Sequence, residues 1–251
     1  MSWVVRHGDA LELLQELPEG SIDALITDPP YSSGGMFRGD RATNDVRTKY
    51  VQTDSKSGKE LPLFGGDSRD QRGWLMWCSL WLGAALRAAK PGAVGGLFCD
   101  WRQLPTASDA LQCGGWVWRG VVAWHKPAAR PVQGRFVNAC EFFVWGTNGP
   151  RTLEGSPLPG FITCNSPRGE DREHITEKPL ELMRHLVRIA PPDGLVVDPF
   201  AGSGTTGAAC LAEGRRFIGM EINPAFVALA RRRIAGPLFA DIPPIASEGN
   251  R

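Results

Sequence analysis

Gly194-Leu195-Val196-Val197-Asp198-Pro199-Phe200-Ala201-Gly202-Ser203-Gly204-Thr205-Thr206-Gly207 is the stretch that decides how this chain folds. A short apolar, β-branched run stops at an acid, and a glycine turn then opens an Ala-rich helix, Thr205 to Glu213. Arg215 to Met220 reads as the next strand and closes on Glu221. Asn223-Pro224 caps a final helix running to about Ile234. Strand, turn, helix and strand in that order form a βαβ unit, which makes the two strands parallel.

The same alternation extends toward the start of the chain. Trp3-Val4-Val5 is a short buried strand, closed by Gly8-Asp9 and followed by a helix from Ala10 to Leu17. Pro18-Glu19-Gly20 ends that helix, and Ile22 to Thr27 is the next strand, running into Asp28-Pro29-Pro30-Tyr31. A long polar insert without clear periodicity, about residues 32–72, separates it from a helix over Trp74 to Ala89 that Lys90-Pro91-Gly92 terminates. Ala93 to Cys99 is a buried strand and Leu104 to Gln112 a helix; Trp116 to Trp124 and Ala139 to Gly146 are further strands. Thr147 to about Ile175 is irregular, and Lys178-Pro179 opens a helix to about Ile189, with the proline in its first turn. The expected fold is α/β with a mainly parallel sheet. One domain is expected over residues 1–236, with 237–251 a flexible tail.

Composition narrows the classes. Of 251 residues 42% are hydrophobic and 22% charged, an ordinary globular balance. The net charge of +1 gives no global field for nucleic acid, so any such contact needs local clustering. The six cysteines show no C-x-x-C spacing, which points to reduced thiols in a cytosolic protein and away from a zinc site or disulfide framework. Met1 to Asp9 carries charges where a signal peptide is apolar, and no run of apolar residues approaches a membrane span.

Two turns carry chemistry. Proline fixes its own φ and keeps the residue before it extended, so Asp28-Pro29-Pro30 cannot start a helix. Neither proline has an N–H, and the turn therefore presents carbonyl oxygens and a carboxylate beside the Tyr31 ring, which suits a planar group bearing an amine. Taken alone, it reads more simply as a strand end followed by a proline turn. The second turn, Gly202 to Gly207, matches G-x-G-x-x-G, with Glu221 roughly 20 residues beyond for ribose hydroxyls, so a nicotinamide-binding protein competes. Asp198 at the strand tip argues against it, because a carboxylate there repels a pyrophosphate drawn to the helix N-terminus. It attracts a cationic ligand, and S-adenosyl-L-methionine, with an ammonium, a sulfonium and a ribose but no phosphate, fits.

Asp198-Pro199-Phe200-Ala201-Gly202-Ser203-Gly204-Thr205-Thr206, together with Asp28-Pro29-Pro30-Tyr31, resembles the amino-methyltransferases of DNA, with their D-P-P-Y catalytic and F-x-G-x-G cofactor motifs. The catalytic motif precedes the cofactor motif, as in their circularly permuted β class. Gly8-Asp9-Ala10, His174 to Pro179 and Gly219-Met220-Glu221 extend the match. The resemblance implies a Rossmann-like methyltransferase sheet with helices on both faces. It also implies a flipped target base, an adenine N6 amine, with cytosine N4 the close alternative; the Asp at position 28 leans toward adenine. Asp28 and the Pro29 carbonyl would accept the amine hydrogens, Pro30 would shape the turn and Tyr31 would stack on the base. Asp198, Phe200, Gly202, Ser203, Gly204 and Thr205 would face the cofactor, Glu221 and Asn223 its ribose side, and Thr176 and Lys178 its methionine end. Asp9 would either touch the cofactor adenine or cap the helix at Ala10. No metal is expected.

DNA contact requires positive charge on one face. The loop with Lys126, Arg130 and Arg135, which holds no acid until Glu141, is the first candidate, and Arg38 and Arg41 in the insert are the second. The interval that the resemblance expects to hold target recognition, about 147–172, is short for the class, which suits a short target, a loose specificity or help from a second subunit. A homodimer is expected, in the cytoplasm of a prokaryote or encoded by a phage.

Overall fold

The computed structural model describes residues 2–31, 69–129, 131, 133–152, 155–166 and 178–236. Eight strands form a single sheet: β1 (Trp3–His7), β2 (Ile22–Thr27), β3 (Ala89–Cys99), β4 (Val117–His125), β5 (Cys140–Thr147), β6 (Phe161–Thr163), β7 (Leu195–Asp198) and β8 (Arg216–Glu221). Their spatial order is β1-β8-β7-β2-β3-β5-β4-β6. The pairs β1/β8, β8/β7, β7/β2 and β2/β3 are parallel, while β5 runs antiparallel to both β3 and β4. The parallel sheet expected from the sequence is thus present, joined to an antiparallel hairpin.

Among the described residues, six helices cover the two faces. On one, α1 (Ala10–Gln15), α2 (Gln71–Ala88) and α3 (Leu104–Cys113) pack over a core that includes Leu14, Trp74, Trp81, Leu82 and Leu111. On the other, α4 (Leu180–Val187), α5 (Thr205–Ala212) and α6 (Pro224–Ile234) bury Leu186, Ala209, Phe217, Val227 and Ile234. Chain leaving β7 passes through α5 toward β8, whereas chain leaving β2 goes the other way to β3. The reversal makes the β7/β2 boundary a topological switch point, where the carboxyl ends of parallel strands open a crevice for ligands. Both motif turns leave the sheet there, on adjacent strands although about 170 residues apart in sequence.

Boundaries differ from expectation in several places. β3 starts at Ala89, straight out of α2, because Ala89 pairs with Ile22 and the Lys90 ammonium reaches Asp23 at 2.7 Å. Pro91 and Gly92 are accommodated where the β2/β3 register shifts. Helix α4 begins one residue later than the Lys178-Pro179 reading, with Pro179 as its N-cap. The irregular stretch after β5 holds β6, a three-residue edge strand parallel to β4 and too short to show a period.

Candidate active site

The proline turn after β2 is braced on both sides. The Thr27 hydroxyl, fully buried, donates to Asp198 Oδ1 at 2.6 Å, tying the tip of β2 to the tip of β7. The indole N–H of buried Trp74, from α2, donates to the Pro30 carbonyl at 2.8 Å. Between these anchors lies Asp28. Its Oδ2 accepts from Lys178 Nζ at 2.7 Å, while its Oδ1 is buried and has no hydrogen-bond partner among the described residues. Buried acceptors are nearly always satisfied, so an unpaired carboxylate oxygen at a switch point marks a place where a donor from a ligand belongs. Burial raises the Asp28 pKa from the ordinary carboxylate range, and the Lys178 ammonium opposes that rise.

An ionic ladder rises behind it. Lys178, 7% exposed, also approaches Glu141 Oε2 at 3.2 Å, and the other Glu141 oxygen accepts from Lys126 Nζ at 2.7 Å. The Tyr31 hydroxyl faces Glu141 Oε2 at 3.4 Å. Burial alone would push Glu141 upward, yet Lys178 and Lys126 together bring it down to about 2. For Lys178 burial disfavours the charge, but Asp28 and Glu141 outweigh it and its pKa is raised. Tyr31 is pushed well up by burial and then by the Glu141 and Asp28 charges, so its ring is a neutral phenol.

At the second turn, Asp198 works inward. The expectation of a carboxylate facing a cationic ligand is corrected here: Oδ1 accepts from Thr27 and the Phe200 N–H, and Oδ2 accepts from Thr206. It is a strut between β2, the turn and α5. The reason is topological: β7 is central and 2% of Asp198 is exposed, so the acid must find partners within the protein. Burial, partly offset by Thr206, Thr27 and the Phe200 amide, raises its pKa to about 6. A raised folded-state value means that its contribution to stability is present below pH ~4 and is lost as pH rises through about 6. Between pH 4 and 7 the stability of wild type relative to Asp198→Asn should therefore fall, by up to ~3 kcal/mol, in urea titrations. A difference that stays constant with pH would refute this.

Glu221 is the acid that lies at the rim. Its oxygens accept from the Gly202 N–H at 3.0 Å and the Asn223 N–H at 2.8 Å, which aims a half-buried carboxylate beside the glycine turn. Burial raises its pKa. Asn223 caps α6 through the Ala225 N–H. Phe200 packs against Trp77 and Trp81, with ring centroids 5.2 and 5.3 Å apart. Ser203 and Thr205 hydroxyls both accept from Arg233, which secures the turn to α6. Asp9 accepts from the Leu11 and Glu12 amides, so the helix-cap reading describes what it does in this structure.

The expected DNA contacts divide. Lys126 points into the ladder and lies 5.3 Å from the Trp124 ring, so its charge is engaged inside the site; it cannot serve the loop's outer face at the same time. Arg135 is exposed on the same loop, beside Phe136, which is 99% exposed. Arg38, Arg41, Arg130, Thr176 and His174 lie outside the described residues, as do most of the polar insert, part of 147–172 and the tail. Sequence reading misses Glu141 and Trp74. A signal for Glu141 exists: it is the one acid in Cys140–Thr147, a strand otherwise made of aromatic, apolar and small residues, and carboxylates are rarely buried without a partner.

The switch-point crevice thus has a carboxylate at one rim, a glycine turn beside it and, opposite, an acceptor unpaired among the described residues. Comparisons with known proteins show the family. The N6_N4_Mtase family, DNA methylase, matches residues 22–232, and the chain belongs to it. The type II methyltransferase M.Cfr9I of Citrobacter freundii is 29% identical over 92% of this chain and 87% of its own length. M.XycI of Xanthomonas campestris pv. cyanopsidis is 28% identical over the same shares. Among solved structures, the M1.HpyAVI–SAM complex superposes with a TM-score of 0.66 at 25% identity, covering 92% of this chain and 98% of that one. TTHA0409 of Thermus thermophilus with S-adenosyl-L-methionine gives 0.69 at 19% identity, covering 98% and 99%, a likeness of fold.

The protein is a DNA methyltransferase of the N6/N4 family that uses S-adenosyl-L-methionine. The residues present fit that cofactor. Glu221, held by two backbone amides, would present a carboxylate to a ribose diol, and the Gly202–Thr205 turn would supply backbone rather than a basic phosphate cradle.

Proposed function

We propose that the chain methylates the N6 amine of an adenine flipped out of DNA. Asp28 Oδ1, buried and unpaired, carries this reading. The bound cofactor supplies an electrophilic methyl group. Asp28 Oδ1 and the Pro29 carbonyl accept the two amine hydrogens, which turns the nitrogen lone pair out of the ring plane and along the line of attack. The amine would lose one proton on methylation, and Asp28 Oδ1, whose pKa burial raises, would accept it. Tyr31 stacks on the extruded ring as a neutral plate. Pro30, pinned by Trp74, keeps the turn from relaxing.

The acid at position 28 supports adenine through the resemblance to D-P-P-Y enzymes. Cytosine N4 is the second reading, since the PvuII DNA methyltransferase, described as cytosine-N4-specific, shares the fold with a TM-score of 0.69 at 19% identity, covering 94% of this chain and 88% of that one. Base analysis of DNA from expressing cells decides between them: N6-methyladenine is expected, and N4-methylcytosine without it would overturn the base assignment.

DNA would meet the carboxyl edge of the sheet, with Arg135 on phosphate and the Lys126–Phe136 loop along the groove. Residues 147–172 would contribute to recognition, and a homodimer is the expected assembly, testable by sedimentation. We place the protein in the cytoplasm of its prokaryotic or phage-infected host.

A further inference from the structure

We propose that Lys178 is a positioning residue for Asp28, locked in place by Glu141 and Lys126, and that it selects which carboxylate oxygen meets the target amine. The inference rests on the methyltransfer reading and assigns Lys178 a place other than the cofactor's methionine end. A carboxylate can rotate about its terminal bond, so neither oxygen is distinguished by chemistry alone. Here one is: Oδ2 is captured by the ammonium at 2.7 Å, and Oδ1 is left.

The ammonium is itself constrained. Glu141 holds it from β5 at 3.2 Å, and Lys126, at the end of β4, holds Glu141 at 2.7 Å. Cross-strand register explains why these meet, since Glu141 lies opposite Trp124, two residues before Lys126. The Phe98, Tyr31 and Trp124 rings surround Nζ at 5.0, 5.8 and 5.9 Å. Four charges of alternating sign thus run from β4 to the catalytic turn. A buried ion pair adds little net stability, because desolvation offsets the attraction, so orientation is the better account of this ladder.

Lys178 has a second effect. A carboxyl group in this desolvated place tends to take up a proton, and a protonated acid is a weaker acceptor for an amine and cannot take up the proton that methylation releases. The groups that face Asp28 are Tyr31 on its own turn, Cys99 at the end of β3, Glu141 on β5 and Asp198 on β7, with Asp100 beside Tyr31 and Cys99 and Lys126 behind Glu141. Lys178 is the cation in direct contact with Asp28 among the described residues, so its loss leaves Asp28 among acids and neutral groups.

The test uses the full chain, unfractionated genomic DNA and S-adenosyl-L-methionine labelled on its methyl group. Lys178→Met is expected to lower the rate at neutral pH roughly 10–100-fold, the scale for losing an outer partner of a reactive group, and to move the acid limb of the rate–pH profile upward. Calorimetric affinity for S-adenosyl-L-methionine should change less than ~3-fold, since a tenfold change would already mean a lost contact. Lys178→Arg should restore the position of the limb. Glu141→Gln, which keeps the shape of the ladder without its central charge, should lower the maximal rate while leaving the cofactor KM unchanged, and it answers the question if the methionine variant fails to fold. An acid limb that stays put, or a loss confined to cofactor affinity, overturns the inference. Wild type that transfers no methyl to DNA would instead overturn the underlying reading.

Discussion

Asp28→Ala should cut methyl transfer to DNA at least ~10²-fold while leaving S-adenosyl-L-methionine binding nearly intact, the scale of losing one positioned catalytic contact. The substitution deletes the unpaired Oδ1 that would accept the amine hydrogen. It also strands the Lys178 ammonium against Glu141 alone. Asp28→Asn is the sharper variant. Lys178 has hydrogens only to donate, so it takes the amide oxygen and turns the amide –NH2 toward the target amine. Donor then meets donor, and the nearly isosteric Asn should be no better than Ala. Initial rates of labelled methyl incorporation, with calorimetry on the same preparations, measure both. An Asn variant with more than a tenth of wild-type rate would remove Asp28 from the assigned role.

The two turns are legible in the sequence because each is an exception to its surroundings. A strand that ends in Asp-Pro-Pro cannot continue into a helix, and a G-x-G turn between a strand and a helix needs backbone that glycine supplies. Their adjacency is less legible, because it depends on β7 pairing with β2 across the switch point, which no local pattern encodes. Direction of side chains is least legible. Asp198 and Glu221 both stand at the ends of neighbouring parallel strands, and sequence treats them alike. In the fold Asp198 is enclosed by Thr27, Thr206 and the Phe200 amide, while Glu221 reaches the rim. Lys126 and Lys178 illustrate the same point for cations. Lys126 reads as a DNA-facing loop residue and Lys178 as a cofactor-facing residue at the start of a helix, yet both converge on Glu141, because a largely enclosed carboxylate on β5 needs positive partners and draws them in.

Gly204→Ala should unfold the chain about 10 °C below wild type, and a second glycine serves as its control. Gly204 is the N-cap of α5 at φ +83°, in the left-handed region where an L-residue loses roughly 1–2 kcal/mol. A Cβ built there lies 2.8 Å from Ala230 Cα and 2.9 Å from Ala230 Cβ. Ala230 is on α6 and fully buried, so backbone rather than a flexible side-chain end must give way. Overpacking of this kind adds ~1–3 kcal/mol. The total, roughly 2–5 kcal/mol, corresponds to about 10 °C at the roughly 2–4 °C per kcal/mol that suits a chain of this size. Gly20 is also left-handed, at φ +60°, but nothing lies within 4 Å of its Cβ position. Gly20→Ala therefore carries only the backbone term, a loss of about 3–6 °C. The excess at Gly204 isolates the contact that presses the cofactor turn onto α6. Because that turn also carries the Gly202 N–H that holds Glu221, the Gly204 variant should lose cofactor affinity as well, whereas the Gly20 variant should keep it. Equal melting temperatures for the two variants would show that the α5–α6 approach does not set the turn.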